Sequence, residues 1–77
     1  MSDSSVEKVG IYTEYIRLDS FLKLAAMVQS GGEAKYLIQE GFVEVNGEVC
    51  TQRTKKLFVG DKVTVSGEEF LVMGEDE

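Results

Sequence analysis

The chain contains no histidine, no proline and no tryptophan, and a single cysteine among its 77 residues. Each absence removes a kind of chemistry. Without histidine there is no Ser-His-Asp or Cys-His catalysis and no His-containing zinc site. One thiol, Cys50, forms neither an internal disulfide nor a thiolate cage for a metal, and it fits a reducing compartment. No phosphate-cradling Walker loop, Rossmann glycine pattern or calcium loop occurs. Carboxylates are plentiful, yet none falls in a recognisable catalytic pair. Long apolar runs are missing too, so no membrane span is expected, and Met1 to Ser5 lacks the basic and apolar regions of a secretory signal. The expectation is a cytoplasmic protein that is not an enzyme and uses no cofactor, no metal and no small-molecule substrate.

What is present suits one small domain. Apolar residues make up 43% and charged residues 29%, too apolar for a disordered chain. At this length a fold buries only about 60% of its unfolded surface, so the core is modest. The net charge of −6 is unevenly spread. Residues 17–62 hold seven bases (Arg17, Lys23, Lys35, Arg53, Lys55, Lys56, Lys62) against six acids, and within 53–62 four bases face Asp61 alone. The excess acid lies at the two ends. A polyanion senses charge within a Debye length of about 8–10 Å, so the local balance matters more than the total.

Residues 1–8 are polar and expected to be disordered, 9–73 form a single domain, and 74–77 are an acidic tail. Val9 to Ile16 is β-branched and aromatic and predicts a strand. Asp19 opens a first helix in which Phe21, Leu22, Leu24, Ala25 and Val28 make one buried stripe. Ser30 and Glu33 form an S-x-x-E capping box for a second helix, with Ala34, Leu37 and Ile38 inward and Gly41 as its left-handed stop. Asn46-Gly47 between two alternating segments predicts a type I′ hairpin. Gly60-Asp61 then leads to a strand over Lys62 to Val65, and Ser66-Gly67 to another over Phe70 to Met73. The fold class is α+β, two helices packed on a small, mostly antiparallel sheet.

The run RLDSFLKLAAMVQSGGEAKYLIQEGFVEVNGEVCTQRTKKLFVGDKV resembles the S4 RNA-binding domain, which also occurs in pseudouridine synthases and tyrosyl-tRNA synthetases. The likeness covers Leu18 to Val63. It rests on Leu18-Asp19, on Ala34 and Leu37-Ile38 before Gly41, and on Val45-Asn46-Gly47 and Gly60-Asp61. TEYIRLDSFLKLA and GGEAK are similar to the small stand-alone S4 proteins of bacteria, which are associated with the ribosome and in some cases with large-subunit maturation. The resemblance implies the S4 fold, with its αL RNA-binding motif, and binding of structured RNA, in particular ribosomal RNA; a monomer is expected, with the exposed edge of so small a sheet leaving dimerisation open. It carries RNA contact onto Arg17, Lys23, Ser30, Lys35, Lys55 and Lys56. Two departures lower the local charge. Many S4 domains place arginine after the serine where this chain has Gly31-Gly32, and the stand-alone proteins tend to show Arg-Arg-Gly where it has Gln52-Arg53-Thr54.

The residues support that role on their own chemistry. Ser30, Gly31 and Gly32 begin a helix, whose free N–H groups and positive dipole end suit a phosphate. Lys35 lies one turn inside, Lys23 on the neighbouring helix, and Arg53, Lys55 and Lys56 on the loop. Such groups read backbone and A-form shape rather than base sequence. Plainer readings stand beside these. Lys23 has an exposed ion-pair partner in Asp19, worth about 0.3–0.5 kcal/mol, and Gly31-Gly32 serve the turn between helices. Tyr12, Tyr15 and Tyr36 have the chemistry to stack on bases, but aromatics at such spacings ordinarily fill a core. Two rivals remain: a protein-interaction module docking a basic partner through the acidic C-terminal region, and a β-grasp sulfur carrier, which the ending Gly74-Glu75-Asp76-Glu77 disfavours for want of a terminal Gly-Gly.

Overall fold

The alternating valines of the second half of the chain build the sheet, and each apolar stripe in the first half supplies one helix to cover it. The computed structural model describes residues 6–74. In chain order the elements are β1 (Val6–Ile11), β2 (Ile16–Arg17), α1 (Leu18–Leu24), α2 (Gly31–Gln39), β3 (Val43–Val45), β4 (Glu48–Val49), β5 (Lys56–Leu57), β6 (Lys62–Val65) and β7 (Glu68–Gly74). Five strands form one sheet in the order β1-β7-β6-β3-β4, and β2 and β5 form a separate two-stranded ribbon. Only the β1–β7 pairing is parallel within the large sheet, so it is mostly antiparallel.

One face of that sheet is apolar by strict alternation. Val43, Val45, Val63, Val65, Phe70 and Val72 point inward, where Leu18, Phe21 and Leu22 of α1 and Ala34 and Ile38 of α2 close over them. Phe21 meets Phe70 edge-on at 6.4 Å, tying the helical layer to the sheet. A fully buried phenylalanine of this kind contributes about 1.5–3 kcal/mol.

The turns behave as their residues dictate. Asn46 and Gly47 take φ of 53° and 89°, the two left-handed positions a type I′ hairpin needs. Gly41, at φ 85°, ends α2 in a Schellman motif: its N–H donates to the Ile38 carbonyl and the Phe42 N–H to the Leu37 carbonyl.

Three expectations need correction. The first strand begins at Val6 and ends at Ile11, so Val6–Lys8 belong to the sheet rather than to a disordered segment. They pair with Glu69, Phe70 and Leu71 of β7, because an edge strand needs only backbone partners while its polar side chains face water. At the other end Gly74 pairs with Ile11 and so belongs to β7, not to a tail. Residues 1–5 and 75–77, the rest of the expected disordered segment and acidic tail, lie outside the described residues. Finally, α1 stops at Leu24, leaving Leu24 half exposed. Ala26, at φ 63°, makes the same Schellman bonds that Gly41 makes in α2, with its N–H donating to the Lys23 carbonyl and the Met27 N–H to the Leu22 carbonyl. Val28 still reaches the core, but from the connection between the helices.

Candidate nucleic-acid interface

The first turn of a helix leaves backbone N–H groups without partners. In α1 the N-cap is Arg17, extended at φ −73° and ψ 149°, and no side chain caps the helix from that position. The basic loop supplies the missing acceptors. The Leu18 N–H donates to the Lys55 carbonyl at 2.8 Å and the Asp19 N–H to the Arg53 carbonyl at 3.1 Å. The Ser20 N–H turns instead to Asp19 Oδ1 at 2.8 Å. One residue earlier, the β2–β5 ribbon sets Arg17 opposite Lys56 and Ile16 opposite Leu57. Main-chain hydrogen bonds therefore hold Arg17, Arg53, Lys55 and Lys56 around the start of α1.

Asp19 sits among them. Its carboxylate accepts from Arg17 Nε at 3.2 Å and Nη2 at 2.7 Å, and Arg53 Nη1 lies 3.9 Å away. The Asp19 side chain is only 12% exposed, whereas those of Arg17 and Arg53 are 49% and 46% exposed. Burial works to raise its pKa. That effect is outweighed by the hydrogen bonds from Arg17 and the Ser20 N–H and by the charges of Arg17 and Arg53, so the carboxyl is held below its ordinary value. The hydrogen bond and charge of Asp19 in turn raise the Arg17 pKa. One buried acid thus orients two guanidinium groups whose free edges face solvent.

Lys23 does not pair with Asp19. It is exposed in the last turn of α1, about 7–8 Å along the axis from Leu18. It joins no ion pair among the described residues, and it borders an open groove with Ile11, Tyr12 and Thr13. Ser30, Gly31, Gly32 and Lys35 form a second group at the start of α2. Ser30 Oγ accepts from the Glu33 N–H at 3.2 Å, and Glu33 Oε1 accepts from the Gln29 N–H, one residue before the position a capping box would serve. Neither Gly31 nor Gly32 has a positive φ. A Cβ would meet nothing within 4 Å at Gly31 and only Ser30 Oγ, at 3.9 Å, at Gly32. The turn between the helices therefore demands neither glycine, and their effect is to leave the first turn of α2 bare.

Two features had no signal in the sequence. Tyr15 and Phe58 come together at 5.9 Å beside the ribbon, with Lys56 Nζ 4.9 Å from the centre of the Tyr15 ring. Asp19 takes its partners from Arg17 and the distant Arg53 rather than from its own helix face. As for the acids near the C-terminus, Glu68 is exposed and Glu69 pairs with Lys62 at 3.5 Å. Among the described residues no three His, Cys, Asp or Glu side chains are grouped to hold a metal, and no helix is long and apolar enough to cross a membrane.

Fold and site together define a small α+β domain with a cationic loop fastened by main-chain bonds to the start of α1. Residues 9–73 match the family model of the S4 domain, and the chain belongs to that family. It is 49% identical over 59 residues to the "Probable ribosome maturation protein RlbA" of Bacillus subtilis (strain 168), covering 77% of this chain and 83% of that one. It is 36% identical, again over 59 residues, to YbcJ of Escherichia coli (strain K12), covering 77% and 84%. The solution structure of the E. coli YbcJ protein, described as revealing an "alfaL" motif involved in RNA-binding, superposes with a TM-score of 0.63 at 32% identity. The superposition covers 96% of this chain and 92% of that one.

Proposed function

We propose that the chain is a non-catalytic RNA-binding protein that holds structured ribosomal RNA and acts, as a cytoplasmic monomer, on the ribosome or its maturation. The observation that carries this reading is the fastening of Arg53 and Lys55 to the start of α1 by their own carbonyls. A flexible basic loop would lose conformational entropy on meeting phosphates; here that ordering is already done. Arg17, Arg53, Lys55 and Lys56 serve as phosphate contacts, and Lys35 with the bare start of α2 as a second contact point on the neighbouring helix. The sequence relative named for ribosome maturation and the structural neighbour described as RNA-binding support the same reading.

Binding to ribosomal RNA fragments is expected to weaken with salt at a log–log slope of roughly −3 to −5, as four to six neutralised phosphates require. The variant K35E/K55E/K56E should lose most of that affinity, with the slope falling by about one per contact removed. Filter binding across a salt series checks this, alongside circular dichroism and thermal melting. A folded triple variant that binds with unchanged affinity and slope would sink the proposal.

A further inference from the structure

Aromatic residues on a protein this small should be buried, because the core is short of apolar mass. Five of the seven are instead exposed, and two pairs of them meet: Tyr36 with Phe42 at 6.3 Å, and Tyr15 with Phe58 at 5.9 Å, the pair that also carries a cation, Lys56. The placement of Tyr15 and Phe58 follows from the ribbon. Ile16 and Leu57 face each other across β2–β5 and turn inward, Leu57 fully buried and Ile16 packed against the core. By the two-residue alternation of strands, their neighbours turn outward. Arg17 and Lys56 form one outward pair, and Tyr15 and Phe58, one residue beyond the ladder, form the next. One exposed face thus presents two cations and two aromatic rings in adjacent rows.

The backbone that carries the rings is held by hydrogen bonds. The Phe58 N–H donates to Asp61 Oδ2 at 2.8 Å, and the Asp61 N–H returns to the Phe58 carbonyl at 2.9 Å. Thr13 Oγ1 donates to the Tyr15 carbonyl at 2.8 Å. The ring planes are inclined at 50°, too steep for one to cover the other's face. Lys56 Nζ lies over the Tyr15 ring, within reach of a cation–π attraction.

We infer that Tyr15 and Phe58 form a stacking platform for an unpaired base of the RNA, set beside the phosphate contacts of Arg17 and Lys56. This rests on the RNA-binding reading above and narrows it. Cations alone hold a continuous duplex, whose bases are stacked within the helix and offer no free face. Aromatic rings add affinity only where a base is splayed out, at a bulge, loop or helix end. A purely apolar partner surface would fit the two rings but would bury Lys56 beside them with no carboxylate in ion-pair reach among the described residues. A nucleotide satisfies both rows, with its base on the rings and its phosphate on the cations.

The test uses the full chain and two RNAs, a short duplex and the same duplex with one unpaired 2-aminopurine bulge. The wild-type protein should bind the bulged RNA about 5- to 100-fold more tightly, and 2-aminopurine fluorescence should change on binding. Y15L and F58L keep apolar bulk and should melt like wild type. Each should lose the preference and the fluorescence change while retaining duplex affinity and its salt slope. The K55E/K56E variant should do the reverse, losing affinity for both RNAs. Equal wild-type affinity for the two RNAs with no fluorescence change would overturn the platform and leave RNA binding standing. Salt-independent binding or none at all would overturn the RNA-binding reading itself.

Discussion

Asp19 shows how one acidic residue can serve a cationic surface. Removing it would raise the local positive charge, yet it is the group that orients Arg17 and Arg53 and takes the Ser20 N–H. Its pKa is lowered in the fold, so the unfolded chain binds its proton more readily. The stability it contributes is therefore fully present above the ordinary carboxylate value of about 3.9 and is lost as pH falls through the lower, folded value. Asp19→Ala is expected to cost about 1 kcal/mol at neutral pH, through the lost hydrogen bonds from Arg17 and the Ser20 N–H, a fall in Tm of about 4–8 °C. The gap between variant and wild type should close as pH is lowered below 4. Thermal melts across pH check this; a gap that stays constant to the lowest pH would mean that the carboxylate charge has no part in it.

At the scale of elements, α1 and α2 end in the same way with different residues. Gly41 takes φ 85° without strain, whereas Ala26 takes φ 63° with a Cβ opposed to it. Ala26→Gly is expected to stabilise the protein by about 0.5–1 kcal/mol, the relief of left-handed strain exceeding the added freedom of the unfolded chain. A raised midpoint in urea at unchanged m-value would show it; a lowered midpoint would count against the strain. This pair also marks what could be read in advance. Gly41, Asn46-Gly47, Ser66-Gly67 and Ser30 announce their turns and cap because the residue type itself selects the conformation. Nothing in LKLAAMVQ announces an end at Leu24, and the apolar stripe runs on in sequence to Val28. The β2–β5 ribbon was invisible for a related reason. Two residues per strand have no period to detect, and their pairing is decided by contacts far apart in sequence.

The whole molecule is closed by its first strand. β1 runs parallel to β7, so the opening and closing strands of residues 6–74 lie side by side at one edge of the sheet. A chain starting at Val9 should melt below one starting at Val6, by roughly 1–3 kcal/mol for the ladder bonds lost. Equal melting temperatures would mean that Val6–Lys8 contribute nothing. The same scale explains why the site was only half legible. The basic residues were visible as types within a short stretch, and Arg17, Arg53, Lys55 and Lys56 do converge. Among the described residues no hydrogen bond or ion pair joins Lys23 or the start of α2 to that cluster, because pairing across elements is decided by tertiary packing rather than by residue type.

The bonds that join the basic loop to α1 run between backbone atoms, Leu18 to Lys55 and Asp19 to Arg53. Every amino acid has that same carbonyl, so the Lys55 side chain is spared the work of holding the loop, while that of Arg53 adds its ion pair with Asp19. Exchange of the Lys55 side chain is expected to change how tightly a phosphate backbone is held while the main-chain bonds beneath stay as they are. The loop is in this sense an interchangeable grip, and the tightness of binding and its salt dependence should be adjustable by substitutions at 55 and 56 alone.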